Sequence, residues 1–428
     1  MPAAVSATLA ANEALADRRR RGERVLPLAF GEAGLPVHPV LRAALAEAAG
    51  RGGYGPVAGL AGLREAAAGY WARRGLPTGP EMVVCGPGSK PLLYGLLLAL
   101  GADVAVPRPS WVSYAAQAAM IGIRPHFVPT RPGEGGVPDP VLLDRAVAGA
   151  RDRGRRIGSV VVTLPDNPTG TVASPTAVTQ LCEVAAEHDL IIISDEIYRD
   201  LLHDPATPFT SPAAIAPRRT VVTTALSKSL ALGGWRIGVA RLPDAGCTVP
   251  SAAGLRDRLL GIGSEIWSAP CGPVQQAAAF AFGEPPEMTR QVAASRRLHA
   301  VVARAVAARF AAAGAAGPVP QAAFYLYPDF GPLRELLRGR HGVTSGPGLA
   351  ALLLDRYGAG VLPASAFGEE PAALRLRVAT GLLYGDSEAQ RTAALASADP
   401  LAPADPLALP WISAALAEIE EMLADLTR

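Results

Sequence analysis

The chain has 428 residues, half of them from the apolar set AVILMFWYC and 18% charged, with 40 basic against 38 acidic side chains. That is ample material for a core, and a net charge of +2 supplies no field to hold nucleic acid or an anionic membrane. The length suits one large and one smaller domain.

In chain order, Arg18 to Arg21 form a basic run with no apolar stretch behind it, so no secretory signal is written there. Residues 1–45 are expected to join the smaller domain. From about residue 80 to 245, short β-branched runs alternate with amphipathic ones. The expected strands are Met82 to Val84, Asp103 to Val106, Ile157 to Leu164, Ile191 to Ser194, Thr220 to Thr224 and Ile237 to Leu242. The apolar window Leu92 to Val106 is shorter than the ~18 residues of a membrane span and contains Asp103. The clearest helix has Ser174 as its cap and Pro175 at its first position, and runs to about His188. Apolar strands separated by helices predict an α/β unit over 46–285, a mostly parallel sheet covered by helices on both faces.

After Pro285 and Pro286 the pattern becomes α+β, and 286–428 is expected to form the smaller domain. It holds a helix over Met288 to Ala313, a strand-like AFYLYP at Ala323 to Pro328, and two short β runs near Val361 and Leu374. A proline-rich loop at Pro400 to Pro410 then leads to a final helix, Trp411 to Leu426. Cys85, Cys182, Cys247 and Cys271 are scattered without a CxxC pair, so neither a disulfide framework nor a metal site is expected. A cytoplasmic protein without membrane or nucleic-acid partners fits these features.

Four motifs carry chemistry. The 40 basic residues include only two lysines, Lys90 and Lys228, and lysine alone of the two basic types can lose its proton and attack a carbonyl. Lys228 lies in ALSKSLALGGWRIG after the strand-like TVVTT, where it can form a Schiff base with an aldehyde cofactor. PDNPTG, Pro165 to Gly170, holds Asn167 rigidly before Pro168 at a strand end. In SDEIYRD, Asp195 ends a very apolar strand, a costly place for a carboxylate unless a cation pairs with it, and Tyr198 follows three residues on. CGPGSKPLL, Cys85 to Leu93, joins a strand to a helix through a glycine-rich turn suited to phosphate. Singly, each motif also has an ordinary structural reading as a surface lysine, a turn, a helix cap or a loop.

Together and in this order they resemble the fold type I pyridoxal-phosphate-dependent aminotransferases of class I/II, particularly the aspartate aminotransferase branch, from about Leu26 to Arg377. The resemblance implies pyridoxal 5'-phosphate (PLP) as cofactor, held by Lys228 as an internal aldimine. It also implies a ping-pong transfer of an amino group between an L-amino acid and a 2-oxo acid. Arg236, Ser227, Gly88, Ser89 and Lys90 match the phosphate site, Trp111 the aromatic that stacks on the ring, and Asn167 and Tyr198 the partners of its phenolic oxygen. Asp195 matches the partner of the ring nitrogen. Tyr54 matches a tyrosine that reaches the phosphate across a dimer interface, which implies a homodimer.

The substrate carboxylate needs a bidentate donor. LRLRV, Leu374 to Val378, reads as a strand with Arg375 and Arg377 on one face, and spacing does not choose between them. The family's arginine aligns with Arg375, and Arg377 falls where serine is usual. Gly31 matches a loop whose backbone approaches the same carboxylate. Ala225 stands where relatives often carry a second phosphate-binding hydroxyl, and Ser268 to Pro270 stand where an SNP-like triplet is common. Other chemistries on the same scaffold are a lyase, decarboxylase, cyclase or oxidase. A regulatory ligand sensor is disfavoured, because about 25 residues precede the matched region, too few for a winged helix.

Overall fold

The computed structural model describes residues 6–243 and 250–428. A short strand, β1 (Leu26–Pro27), precedes the seven of the main sheet: β2 (Val83–Gly86), β3 (Asp103–Arg108), β4 (Pro125–Pro129), β5 (Ile157–Thr163), β6 (Ile191–Asp195), β7 (Thr220–Ala225) and β8 (Gly238–Arg241). They lie in the order β2-β8-β7-β6-β5-β3-β4, with β8 antiparallel to both neighbours and the other pairs parallel. Every residue of β5, β6 and β7 is buried.

Strand alternation divides their side chains between two apolar layers. Val161, Ile191 and Ile193 pack with the helices Ser89–Leu100 and Leu255–Ile266, whereas Val160, Val162 and Ile192 pack with Pro140–Asp152 and Pro175–Glu187. The last of these helices starts as its sequence predicts: Ser174 Oγ accepts from Ala177 N at 3.1 Å, and Pro175 takes the first position, where its missing N–H costs nothing.

The sequence pattern misses β4. Prolines at both ends and a polar His126 disguise it, and they are tolerated because β4 is the sheet's edge. It also misses an N-terminal helix, Ala7–Arg20, whose only buried residue is Leu15, so it presents no apolar stripe to read. Arg18 of the basic run pairs with Asp355 at 2.8 Å, which ties this helix to the C-terminal half.

The remaining strands are β9 (Tyr325–Leu326), β10 (Ala359–Gly360), β11 (Leu362–Pro363) and β12 (Leu376–Ala379). β11, β12 and β9 form an antiparallel sheet, and β1 pairs with β10. An apolar cluster drawn from residues between Leu26 and Leu35 and between Leu298 and Leu426 fills this part, with the helices Pro286–Ala312 and Pro410–Thr427 against it. Cys85, Cys182 and Cys271 are free thiols, and Cys247 lies outside the described residues. No described helix is long and apolar enough to cross a membrane.

Candidate active site

Because β2, β3, β5, β6 and β7 run in parallel, the loops after them gather at one edge of the sheet, where ligands of open α/β sheets collect. β8 runs the other way, so Arg236, two residues before it, starts from the same edge. These loops surround a cavity of about 490 Å³ lined by Ser89, Lys90, Trp111, Asn167, Asp195, Tyr198, Ser227, Lys228 and Arg236. Gly31 closes it from the N-terminal side. Residues from more than 200 positions of sequence thus share one space.

Lys228 sits on a four-residue helical turn, Leu226–Ser229, directly after β7. Its Nζ donates to the Gly31 carbonyl. Burial first, and the nearby Arg377 second, push its pKa down to about 8. A neutral amine is therefore far more accessible here than on a solvated lysine.

Asp195 ends β6 and is 3% exposed. Its carboxylate accepts from Tyr114 Oη at 2.8 Å and from Thr223 Oγ1 at 3.3 Å, both neutral donors. Burial outweighs those bonds and lifts its pKa to about 6. A buried carboxylate held only by neutral donors, the Tyr114 and Thr223 hydroxyls and the Ile197 backbone N–H, is poised to receive a cation from within the cavity. Tyr114 escaped the sequence reading, although it lies one helical turn from Trp111 and packs edge-on to it at 5.2 Å.

The turn after β2 gives Gly88 a φ of +94° and opens the helix Ser89–Leu100 with no side-chain cap, so its first N–H groups are free for an anion. A side chain at Gly88 would strike the Arg236 guanidinium, and one at Gly238 would strike the Ser89 backbone. The backbone contact requires glycine at 238, and the positive φ favours it at 88. The two contacts hold Arg236 against the start of the helix. Lys90 Nζ lies 5.1 Å from the Trp111 ring centroid, and burial first, then Arg236, lowers its pKa.

Asn167 is 3% exposed; its Nδ2 lies 3.5 Å from Tyr198 Oη, and its Oδ1 is buried without a partner. Tyr198 Oη is 2.9 Å from Tyr325 Oη. Tyr325, within AFYLYP on β9, is a second cavity residue that sequence reasoning read only as strand.

The structure separates the two candidate carboxylate arginines. Arg375 does not line the cavity: its guanidinium is engaged by Asp329 at 2.8 Å and Glu369 at 3.0 Å. Arg377 lines it instead, 1% exposed, with Nη2 donating to the Ala29 carbonyl and Nε buried without a partner. The two share a face, but two residues of strand separate them by about 7 Å, enough to place one outside and one inside. Tyr54 is 96% exposed and does not line the cavity of its own chain.

Comparison with known proteins gives a consistent result. The profile of the family described as aminotransferase class I and II matches residues 23–382. A probable aspartate/prephenate aminotransferase of Thermus aquaticus is 38% identical over 246 residues, which are 56% of this chain and 62% of that protein. The aspartate/prephenate aminotransferase of Cereibacter sphaeroides is 32% identical over 379 residues, covering 86% of this chain and 90% of the relative. Among solved structures, the aspartate aminotransferase of Thermus thermophilus with maleate superposes with a TM-score of 0.79 at 28% identity, covering 98% of this chain and 97% of that one.

Proposed function

This chain belongs to the class I and II aminotransferase family, and from that premise we propose that it is a PLP-dependent aminotransferase acting in ping-pong fashion on an L-amino acid and a 2-oxo acid. The observation that carries the reading is the pairing, across one cavity, of a largely buried Lys228 with an Asp195 whose carboxylate meets only neutral donors. The residues present fit the cofactor: an amine for its aldehyde, a carboxylate for its ring nitrogen, the unpartnered Asn167 Oδ1 in the polar wall and an uncapped helix start for its phosphate. When bound, PLP supplies a carbonyl for the substrate amine and a ring that withdraws electrons from the substrate Cα.

The protein's own groups then have distinct tasks. Lys228 Nζ would take the proton from the substrate Cα as base and, as acid, deliver one to the cofactor's aldehyde carbon, which lies across the substrate nitrogen from Cα. Asp195 would hold the ring nitrogen in its protonated form, its own carboxylate ionised opposite that charge. Ser89, Ser227, Arg236 and the helix start hold the phosphate, and Trp111 offers its face to the ring. Arg377, its Nε free, grips the substrate α-carboxylate. Lys90 is a further cation on the cavity wall, and it favours a substrate with an acidic side chain, in keeping with the aspartate specificity named for the relatives.

We also infer a homodimer in which Tyr54 reaches the partner's phosphate site, supported by its near-complete exposure in the single chain. A cytoplasmic location fits the three free thiols among the described residues.

Absorbance spectra of the PLP-loaded protein with single amino acids test the function. Aspartate or glutamate should bleach the visible band and yield pyridoxamine phosphate, with recovery on adding 2-oxoglutarate. Release of ammonia or carbon dioxide while the aldehyde form persists would reject transamination.

A further inference from the structure

Tyr325 stands where the two halves of the site meet. It lies on β9, paired with the strand that carries Arg377, whereas Tyr198 follows β6 of the main sheet. Both tyrosines are buried, and their hydroxyl oxygens are 2.9 Å apart. The Arg377 guanidinium sits 5.1 Å from the Tyr325 ring centroid. Gly31 completes the arrangement, because a side chain there would collide with the Tyr325 hydroxyl.

A phenol has one proton to donate, and in a pair of phenols either can be the donor. Tyr198 cannot serve both Tyr325 and a ring oxygen in the cavity. If its proton goes to the ring oxygen, the hydrogen bond between the tyrosines requires Tyr325 as donor. Burial raises the Tyr325 pKa, and the Arg377 charge offsets part of that rise, so this phenol keeps its proton and remains available as a donor.

Resting on the aminotransferase reading above, we propose that Tyr325 is a positioning residue: its hydroxyl donates to Tyr198 and so aims the Tyr198 proton at the phenolic oxygen of the bound cofactor. Its ring separately forms the platform beneath Arg377. The two roles can be separated, because Tyr325→Phe keeps the ring and deletes the donor.

Donation to the phenolic oxygen stabilises its anionic form and lowers the pH midpoint of the cofactor's visible spectral change. In Tyr325→Phe that midpoint should rise by about 0.5 to 1 unit, the scale of one hydrogen bond. The same variant should lose about 3- to 10-fold in kcat with KM within about twofold. Tyr325→Leu, which also removes the platform, should in addition raise KM. In a Tyr198→Phe background, Tyr325→Phe should shift the midpoint no further, since the effect passes through Tyr198.

An unchanged midpoint in Tyr325→Phe, or an equal shift with and without the Tyr198 hydroxyl, would overturn the proposal while leaving the aminotransferase reading intact. A wild-type protein that takes up no PLP overturns both.

Discussion

Lys228→Ala is expected to lower the transamination rate by roughly 10⁴-fold, the upper range for loss of a positioned acid–base group, while the protein remains folded. The size of the effect follows from composition as much as from geometry. The only other lysine, Lys90, lies over Trp111 and does not occupy the end of β7. Arginine cannot substitute, because its guanidinium stays protonated.

The same site makes stability and activity oppose each other. Burial, reinforced by Arg377, lowers the Lys228 pKa from 10.5 to about 8. Below pH 8 the folded and unfolded chains both hold this proton, and the folded state bears the full cost of enclosing the ammonium. As pH rises from 8 towards 10.5 the folded state releases the proton first, and the cost fades. At about 1.4 kcal/mol per unit this cost is roughly 3.5 kcal/mol at most. Cofactor-free Lys228→Met should therefore resist urea better than the cofactor-free wild type at pH 7, with the advantage shrinking above pH 8. A pH-independent advantage, or a loss, would mean that the amine is solvated.

Arg377→Ala should raise KM for α-amino acids by about 30- to 1,000-fold, the usual cost of removing one partner from a buried, charge-assisted pair. Arg375→Ala should change KM less than about threefold, because a partly exposed ion pair outside the cavity contributes little. Arg377→Lys should fall between them, since it keeps the charge and loses the planar fork. Steady-state kinetics with each donor checks all three. The reverse order would return the carboxylate to Arg375.

Much of this site was legible because its residues sit where buried strands stop. Asp195 and Asn167 follow runs too apolar to be anything but interior sheet, and Lys228 follows another, so their polar groups had to face the sheet's carboxyl edge. That Arg375 is engaged outside the cavity was not legible, because its partners are Asp329, 46 residues earlier, and Glu369 on a neighbouring turn. Nothing local to LRLRV reports that pairing.

Tyr114 and Tyr325 were hidden for a different reason. An aromatic residue within an apolar run reads as core, and only the position of its hydroxyl shows that it also serves the cavity. β4 and the N-terminal helix lacked a periodic apolar face, and their existence depends on what packs against them.

The most direct measurement uses the two lysines as addresses. Protein loaded with PLP is reduced with borohydride, digested and analysed by mass spectrometry. The account predicts a pyridoxyl group on the peptide containing Lys228 and none on that containing Lys90. Modification of Lys90 with Lys228 unmodified, or incorporation at neither, would contradict it.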